Sequence, residues 1–420
     1  MKRIFLLSIT MLIFFIASCN SDFFIKGNFS DDWNGAKPFL VIPPAGEKAG
    51  NGGSGTKEAA YGEWSDINHY DFYKNLFTNT NGCFINYIGY SGFETRYMVT
   101  VNVNSNIGNP VGDALVELYD PEVSENKLFS AKTNIKGKAY LFPSYDVTGK
   151  SIPVKVIIAE KKLIQTYDET GKIITVEVIS AEEKFRRTLE YDGNSISITL
   201  NDDSQEISIL DLMFVIDTTS SMGDVLSYLK LEYSDVINKI KTANPKYNKI
   251  NLALLFYRDT GDEYITRFFD FTEDIGQQER NLIKQSASGG GDFPEAADRA
   301  LEQAVSKDWT TDNAVRLIFH VCDAPPHSDQ RSQNTYYNTI KIATQKGIRI
   351  IPIASSGIDL ATEYLLRQEA IMTGGTYIFL TDYNGKDEKE LPQTVGASFT
   401  EDGNLNKCIV RVVNEYLTTN

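Results

Sequence analysis

The stretch FVIDTTSSMGD, Phe214–Asp224, runs a short apolar segment into a turn that carries one carboxylate and four hydroxyls: Asp217, Thr218, Thr219, Ser220 and Ser221. Two physical readings fit it. Ser and Thr cap helices by accepting a first-turn backbone N–H, so strand, hydroxyl turn and helix can amount to capping alone. Alternatively, Asp217, Thr219 and Ser221 alternate along the chain, so their oxygens can converge on one hard cation such as Mg²⁺, which takes few carboxylates and keeps waters.

Outward from this turn, the chain beyond Gln205 alternates apolar runs with amphipathic segments. The runs are ILDLMFVID, INLALLFYRD, AVRLIFHVCD, IRIIPIA and the shorter TYIFL. After the turn, Val225, Leu226, Leu229, Val236, Ile237 and Ile240 share one face at helical spacing. Nearly continuous apolar strands between helices predict a doubly wound, mainly parallel α/β sheet covered on both faces. In such sheets ligands bind beyond the carboxyl ends of the strands, and Asp217, Asp259 and Asp323 all stand at that end.

Three acidic loop elements occur in order: DTTSS after the first strand, SGGGDFPEA before a helix, and CDAPPH after a central strand. With the order of strands and helices, they resemble a von Willebrand factor A domain with its metal-ion-dependent adhesion site, over residues 205–420. The resemblance implies that Asp217, Thr219 and Ser221 fill the D-x-S/T-x-S motif. The two hydroxyls would bind the ion directly and Asp217 directly or through water. Asp323 would be the distant aspartate, acting through water. Keeping both carboxylates at a remove leaves the ion electrophilic toward an outside carboxylate. The departure is in the second loop, where many members have a threonine after a Gly-Gly pair. Here Gly289, Gly290 and Gly291 lead to Asp292, which either replaces that threonine at the metal or caps the helix starting near Pro294. A third carboxylate would weaken the ion's pull on an acidic ligand.

Asp259 and Ser220 would stand behind these ligands, and His327 would reach a bound partner. The plain alternatives are a salt bridge of Asp259 with Arg258 or Arg267, and a surface-loop histidine. His320, inside a core strand, is expected to be a hydrogen-bonded structural residue. Cys322, with no cationic neighbour in sequence, should be an inert buried thiol.

Upstream, residues 96–204 carry short alternating runs, YMVTVNV, ALVELYD, KAYLFP, VKVIIA, IITVEVIS and SISITL, split by turn-rich pieces. This spacing predicts an all-β antiparallel sandwich. Within it, Gly108–Phe142 resembles the carboxypeptidase-regulatory or transthyretin-like β-sandwich family, which implies a non-catalytic spacer. Residues 61–95 predict a short helix over Trp64–Phe77 with aromatic packing residues, and PPAGEKAGNGGSGTKE within residues 19–60 is a flexible linker.

Residues 1–18 have two basic residues, a short apolar run and small residues before Cys19, the pattern of a secretion signal. IASC, Ile16–Cys19, resembles the bacterial lipobox, which implies lipidation of Cys19 and anchoring to a membrane of the cell envelope, at the outer membrane or cell surface. Cys83, Cys322 and Cys408 are odd in number and far apart, which argues against a disulfide framework or a zinc-cysteine site. The net charge of −15 argues against a nucleic-acid partner, because phosphate binding needs a basic face.

Together these features imply a membrane-anchored binding protein. It would use Mg²⁺, or Mn²⁺ or Ca²⁺ in its place, to take a carboxylate of a protein or peptide ligand in adhesion or assembly. Two alternatives stay open: a metal-assisted hydrolase holding the ion with Asp217, Asp292 and Asp323 and using Asp259 as base, or an ion that only holds loops together. Three histidines in all, no recognisable Ser/His/Asp spacing and no P-loop speak against an enzyme.

Overall fold

The computed structural model describes residues 60–78, 82–123, 125–157, 186–200, 206–291, 293–355, 357–381, 398–399 and 405–419. The signal segment with Cys19, the linker Pro43–Glu58, the run IITVEVIS and Asp292 lie outside the described residues. All described residues belong to one unit, Phe39–Asn420.

Strand β1 (Ala60–Trp64) and helix α1 (Tyr70–Asn75) come first. Seven strands follow: β2 (Val99–Ser105), β3 (Leu115–Tyr119), β4 (Lys127–Lys132), β5 (Lys138–Leu141), β6 (Ser151–Ile157), β7 (Arg186–Glu190) and β8 (Ile196–Leu200). Strands and helices then alternate through β9 (Ile209–Asp217), α2 (Gly223–Ala243), β10 (Lys249–Tyr257), β11 (Thr266–Thr272), α3 (Ile275–Ile283), α4 (Ala297–Ser306), β12 (Ala314–Cys322) and α5 (Gln330–Lys346). The last elements are β13 (Ile348–Ala354), α6 (Leu360–Thr373), β14 (Tyr377–Thr381), β15 (Ser398–Phe399) and α7 (Leu405–Leu417).

The large sheet has the order β11-β10-β9-β12-β13-β14-β1-β15. Neighbours from β10 to β14 are parallel, and β11 and β1 add antiparallel strands. The doubly wound, mainly parallel sheet read from the sequence is therefore what forms. Along β9, Leu210, Leu212, Phe214 and Ile216 share a core with Leu226, Leu229 and Ile237 of α2 and with Ile409 and Val412 of α7. Met213 and Val215 point the other way, into the core that holds Leu301 of α4, Ile340 of α5 and Leu365 of α6. Burial on both faces removes the polar alternation, which is why these strands look continuously apolar.

The upstream strands form two small sheets, β5-β2-β8 and β4-β3-β6-β7, antiparallel except where β2 pairs with β8. Their apolar faces share the core of α4, α5 and α6. Polar contacts add to this: Thr344 Oγ1 donates to the Ser130 carbonyl at 2.8 Å, and Arg316 grips Asp113 with two bonds of 2.8 and 3.0 Å.

Residues 61–95 do more than form a short helix. Strand β1 inserts between β14 and β15, and the helix is confined to Tyr70–Asn75. The aromatic residues after it pack on α6, where Phe77 and Phe84 meet Tyr364 edge-on. Strand β11 was not legible either. Its residues are mostly half-buried, as befits an edge strand, so they lack the apolar run of the central strands.

Candidate functional site

Strand β9 ends at Asp217, whose side chain is fully buried. Its Oδ1 accepts from the Thr219 backbone N–H at 2.8 Å and from Thr219 Oγ1 at 2.7 Å. Its Oδ2 is buried with no hydrogen-bond partner among the described residues. Thr219 Oγ1 and Ser221 Oγ stand 3.4 Å apart, and the Ser221 hydroxyl is close enough to Asp323, just after β12, to favour its charged form. The capping explanation fails on geometry, because neither the 3₁₀ turn Ser220–Met222 nor α2 has a side-chain cap. Burial pushes the Asp217 carboxyl up to about 7, outweighing the two bonds from Thr219, and burial raises Asp323 against the opposing pull of Ser221.

The second loop is tied to the first by backbone. Ser288 N–H donates to the Thr218 carbonyl at 3.0 Å, and the Gly289 carbonyl accepts from Ser220 N–H at 3.2 Å and from Ser220 Oγ at 2.8 Å. Ser220 is thus a loop clamp. Asp262 Oδ2 accepts from the Gly290 N–H at 2.9 Å and from the Asp259 N–H at 3.1 Å.

A residue passed over in the sequence belongs here. Glu295 is 4% exposed, and its Oε2 has no hydrogen-bond partner among the described residues. Burial pushes its carboxyl up to about 9, and Asp217, Asp259, Asp262 and Asp323 push in the same direction. In SGGGDFPEA this acid follows the glycine-aspartate junction by three residues, and no local pattern there marks it as buried.

Asp259 meets neither arginine as its principal partner: His327 Nε2 lies 2.6 Å from its Oδ1. Arg258 instead donates to the Thr218 and Ser286 carbonyls, and both Arg258 and Arg267 reach Glu263 at 3.4 Å. His327 is therefore part-buried rather than a plain surface histidine. Beneath the site, His320 Nδ1 lies 2.9 and 3.0 Å from the Glu369 oxygens, and its Nε2 3.0 Å from the Tyr257 hydroxyl. Tyr336 donates to the same carboxylate. Cys322 is buried, and burial raises its thiol while His320 opposes that rise.

The structure thus brings Asp217, Thr219, Ser221 and Asp323 together, with Glu295 beside them. Among the described residues no three His, Cys, Asp or Glu side chains group closely enough to hold a metal by themselves. Any ion here needs the Thr219 and Ser221 hydroxyls as well. The donor set fits a hard divalent cation, because the buried Asp217 Oδ2 has no hydrogen-bond partner among the described residues and the Thr219 and Ser221 hydroxyls stand beside that carboxylate.

Residues 211–382 match the family described as the von Willebrand factor A domain. This part of the chain is a von Willebrand factor A domain. Over 133 residues the chain is 29% identical to a protein of Acanthamoeba polyphaga mimivirus named as an ariadne-like RING finger protein, R811. That match covers 32% of this chain and 13% of the viral protein. Among solved structures, similarity is found to the conserved hypothetical protein BatB from Bacteroides thetaiotaomicron, with 13% identity and a TM-score of 0.35 over 50% of this chain and 98% of that one. An aerotolerance-related membrane protein from Bacteroides fragilis is similar at 14% identity and a TM-score of 0.32, over 49% of this chain and 99% of that one. No helix among the described residues of the A-domain protein is long and apolar enough to cross a membrane.

Proposed function

We propose that this protein is a binding or assembly protein of the bacterial cell envelope, held at the membrane through lipidated Cys19. Its A domain would hold a divalent cation, Mg²⁺ in the first instance, with Asp217, Thr219, Ser221 and Asp323. The cation supplies an electrophilic point that takes a carboxylate of a protein or peptide partner. The chain's own residues position the site: Ser220 clamps the second loop, and Thr219 orients the Asp217 carboxylate by two hydrogen bonds.

One observation carries this reading. Among the described residues Asp217 Oδ2 is buried with no hydrogen-bond partner, beside two hydroxyl oxygens that cap no helix. An unpaired buried carboxylate oxygen is costly unless something outside the protein's own donors satisfies it. The hydrolase reading is weaker, because its base, Asp259, already faces His327 at 2.6 Å, and His320 is engaged on both ring nitrogens in the core.

Calorimetric titration of Mg²⁺ and Mn²⁺ into the metal-stripped protein, with Asp217→Ala as control, tests the proposal. Saturable one-site binding that disappears in the variant, with native circular dichroism, is the expected result. Absence of binding to the unmodified protein would overturn it.

A further inference from the structure

The loop after β12 reads Asp323-Ala324-Pro325-Pro326-His327, and its two prolines, each with a fixed φ, make it a stiff arm. Asp323 stands at the root of the arm, one residue beyond Cys322 at the end of β12. The middle is held by main chain: the Glu295 N–H donates to the Pro325 carbonyl at 2.9 Å, and Glu295 forms a parallel bridge with Pro326. The far end is held by a side chain, where His327 Nε2 lies 2.6 Å from Asp259 Oδ1. An ionised carboxylate only accepts, so the imidazole N–H donates. Asp259 is tied onward in its turn. Its backbone N–H donates to Asp262 Oδ2 at 3.1 Å, and that oxygen also accepts from the Gly290 N–H at 2.9 Å. Gly290 lies against the first loop, since a Cβ built on it would stand 3.1 Å from Thr219 Cβ. A continuous path of contacts therefore runs from the arm that bears Asp323, through His327, Asp259, Asp262 and Gly290, to the turn that bears Thr219. The side chains of Asp259 and His327 are 10% and 29% exposed, so water competes weakly for the bond that closes the path.

We propose that His327 is a positioning residue for the cation: its bond to Asp259 is a latch that sets the distance between Asp323 and the turn carrying Asp217, Thr219 and Ser221. This rests on the cation reading above and adds to it what holds the two halves of the site in register. Asp323 and the first loop leave different strands, β12 and β9, so their separation at the rim depends on ties between loops as well as on the sheet. Mg²⁺ demands near-ideal octahedral geometry, which makes its affinity sensitive to small errors in that separation. His327 acts through the arm and not on the ion. The direction of its effect distinguishes the latch from simple electrostatics. A charged imidazole near the site repels a cation and a neutral one is nearly indifferent to it, so by charge alone its removal would strengthen binding or leave it unchanged. Loss of a latch weakens binding.

The test is calorimetric titration of MgCl₂ into the metal-stripped full chain as wild type, H327A, H327Q and D217A, with circular dichroism and melting temperatures recorded in EDTA. H327A is expected to lose about tenfold or more in Mg²⁺ affinity, the lower end of what removing a group that orients a metal ligand costs. H327Q, whose amide N–H reaches the position of Nε2, should bind close to the wild-type value, which a role of the ring's charge would not produce. Native circular dichroism in EDTA for both variants separates the loss from unfolding. Should H327A not be native, H327N takes its place, since its shorter amide stops short of Asp259, and the same loss is expected. D259A combined with H327A should bind Mg²⁺ no more weakly than D259A alone, because two halves of one latch cannot be lost twice. Mg²⁺ affinity in H327A equal to or above that of wild type, with binding still abolished in D217A, would overturn the latch and leave the cation reading standing. So would an H327Q as weak as H327A. No binding of Mg²⁺ to wild type would overturn the cation reading and the latch with it.

Discussion

Arg367, in the middle of α6, is held by Asp66, a residue 301 positions earlier: Nε donates to Oδ2 at 2.9 Å, Nη2 donates to Oδ1, and neither side chain is more than 2% exposed. Trp64 at the end of β1 donates its indole N–H to the same carboxylate at 2.9 Å. Burial works against the guanidinium charge, and Asp66 and Glu363 outweigh it, so the pKa of Arg367 lies above its ordinary value. Removing one partner of such a pair strands a charge in the core. Asp66→Ala is therefore expected to destabilise the protein by about 3–5 kcal/mol, measured by urea unfolding. A loss below about 1 kcal/mol, the range of an exposed pair, would show that water reaches Arg367.

His320 is expected to stay charged in the core. Burial lowers its pKa, but Cys322 and Glu369 raise it further, and the net shift is well above the ordinary imidazole value. The folded value lies above the unfolded one, so this contribution to stability is complete below about pH 6.5 and is lost only as pH rises through the raised value. The ¹⁵N shifts of His320 should be those of an imidazolium at pH 7.5. Neutral-imidazole shifts at that pH would contradict the ion pair with Glu369.

The metal-stripped protein should weaken as pH rises. Asp217 and Glu295 are raised to about 7 and about 9, and Asp323 is raised too, so all three bind protons more tightly folded than unfolded. Their contribution is complete below about pH 4, the ordinary carboxylate range, and is lost as pH climbs through about 7 and then about 9. Melting temperatures in EDTA should fall between pH 5 and pH 9. A divalent cation, taking the place of the protons, should flatten the curve. A rise in EDTA across that interval would mean that these carboxyls are not buried as described.

Gly290→Ala should damage the site from the backbone. The residue has φ +75°, and the new methyl would press on Glu295 Oε1 at 2.8 Å. Strain of this kind costs about 1–3 kcal/mol. Thermal unfolding should register that loss, and calorimetry a weaker cation affinity than wild type. Unchanged values for both would show that the loop can shift without consequence.

The sequence by itself determined the doubly wound sheet, because strands buried on both faces must be apolar throughout and the helices between them must repeat at 3.6 residues. It also pointed to Asp217, Thr219, Ser221 and Asp323, which the fold places at the carboxyl ends of β9 and β12. Strand β11 was hidden because an edge strand has no need of a continuous apolar run. The insertion of β1 between β14 and β15, the grip of Asp66 on Arg367 and the pairing of His327 with Asp259 join residues far apart in the chain, and no local pattern encodes such partners. Glu295 shows the division most plainly. Its presence in SGGGDFPEA was readable, but only the packed loops bury its Oε2 with no hydrogen-bond donor among the described residues, and a carboxylate acquires its chemistry from what surrounds it.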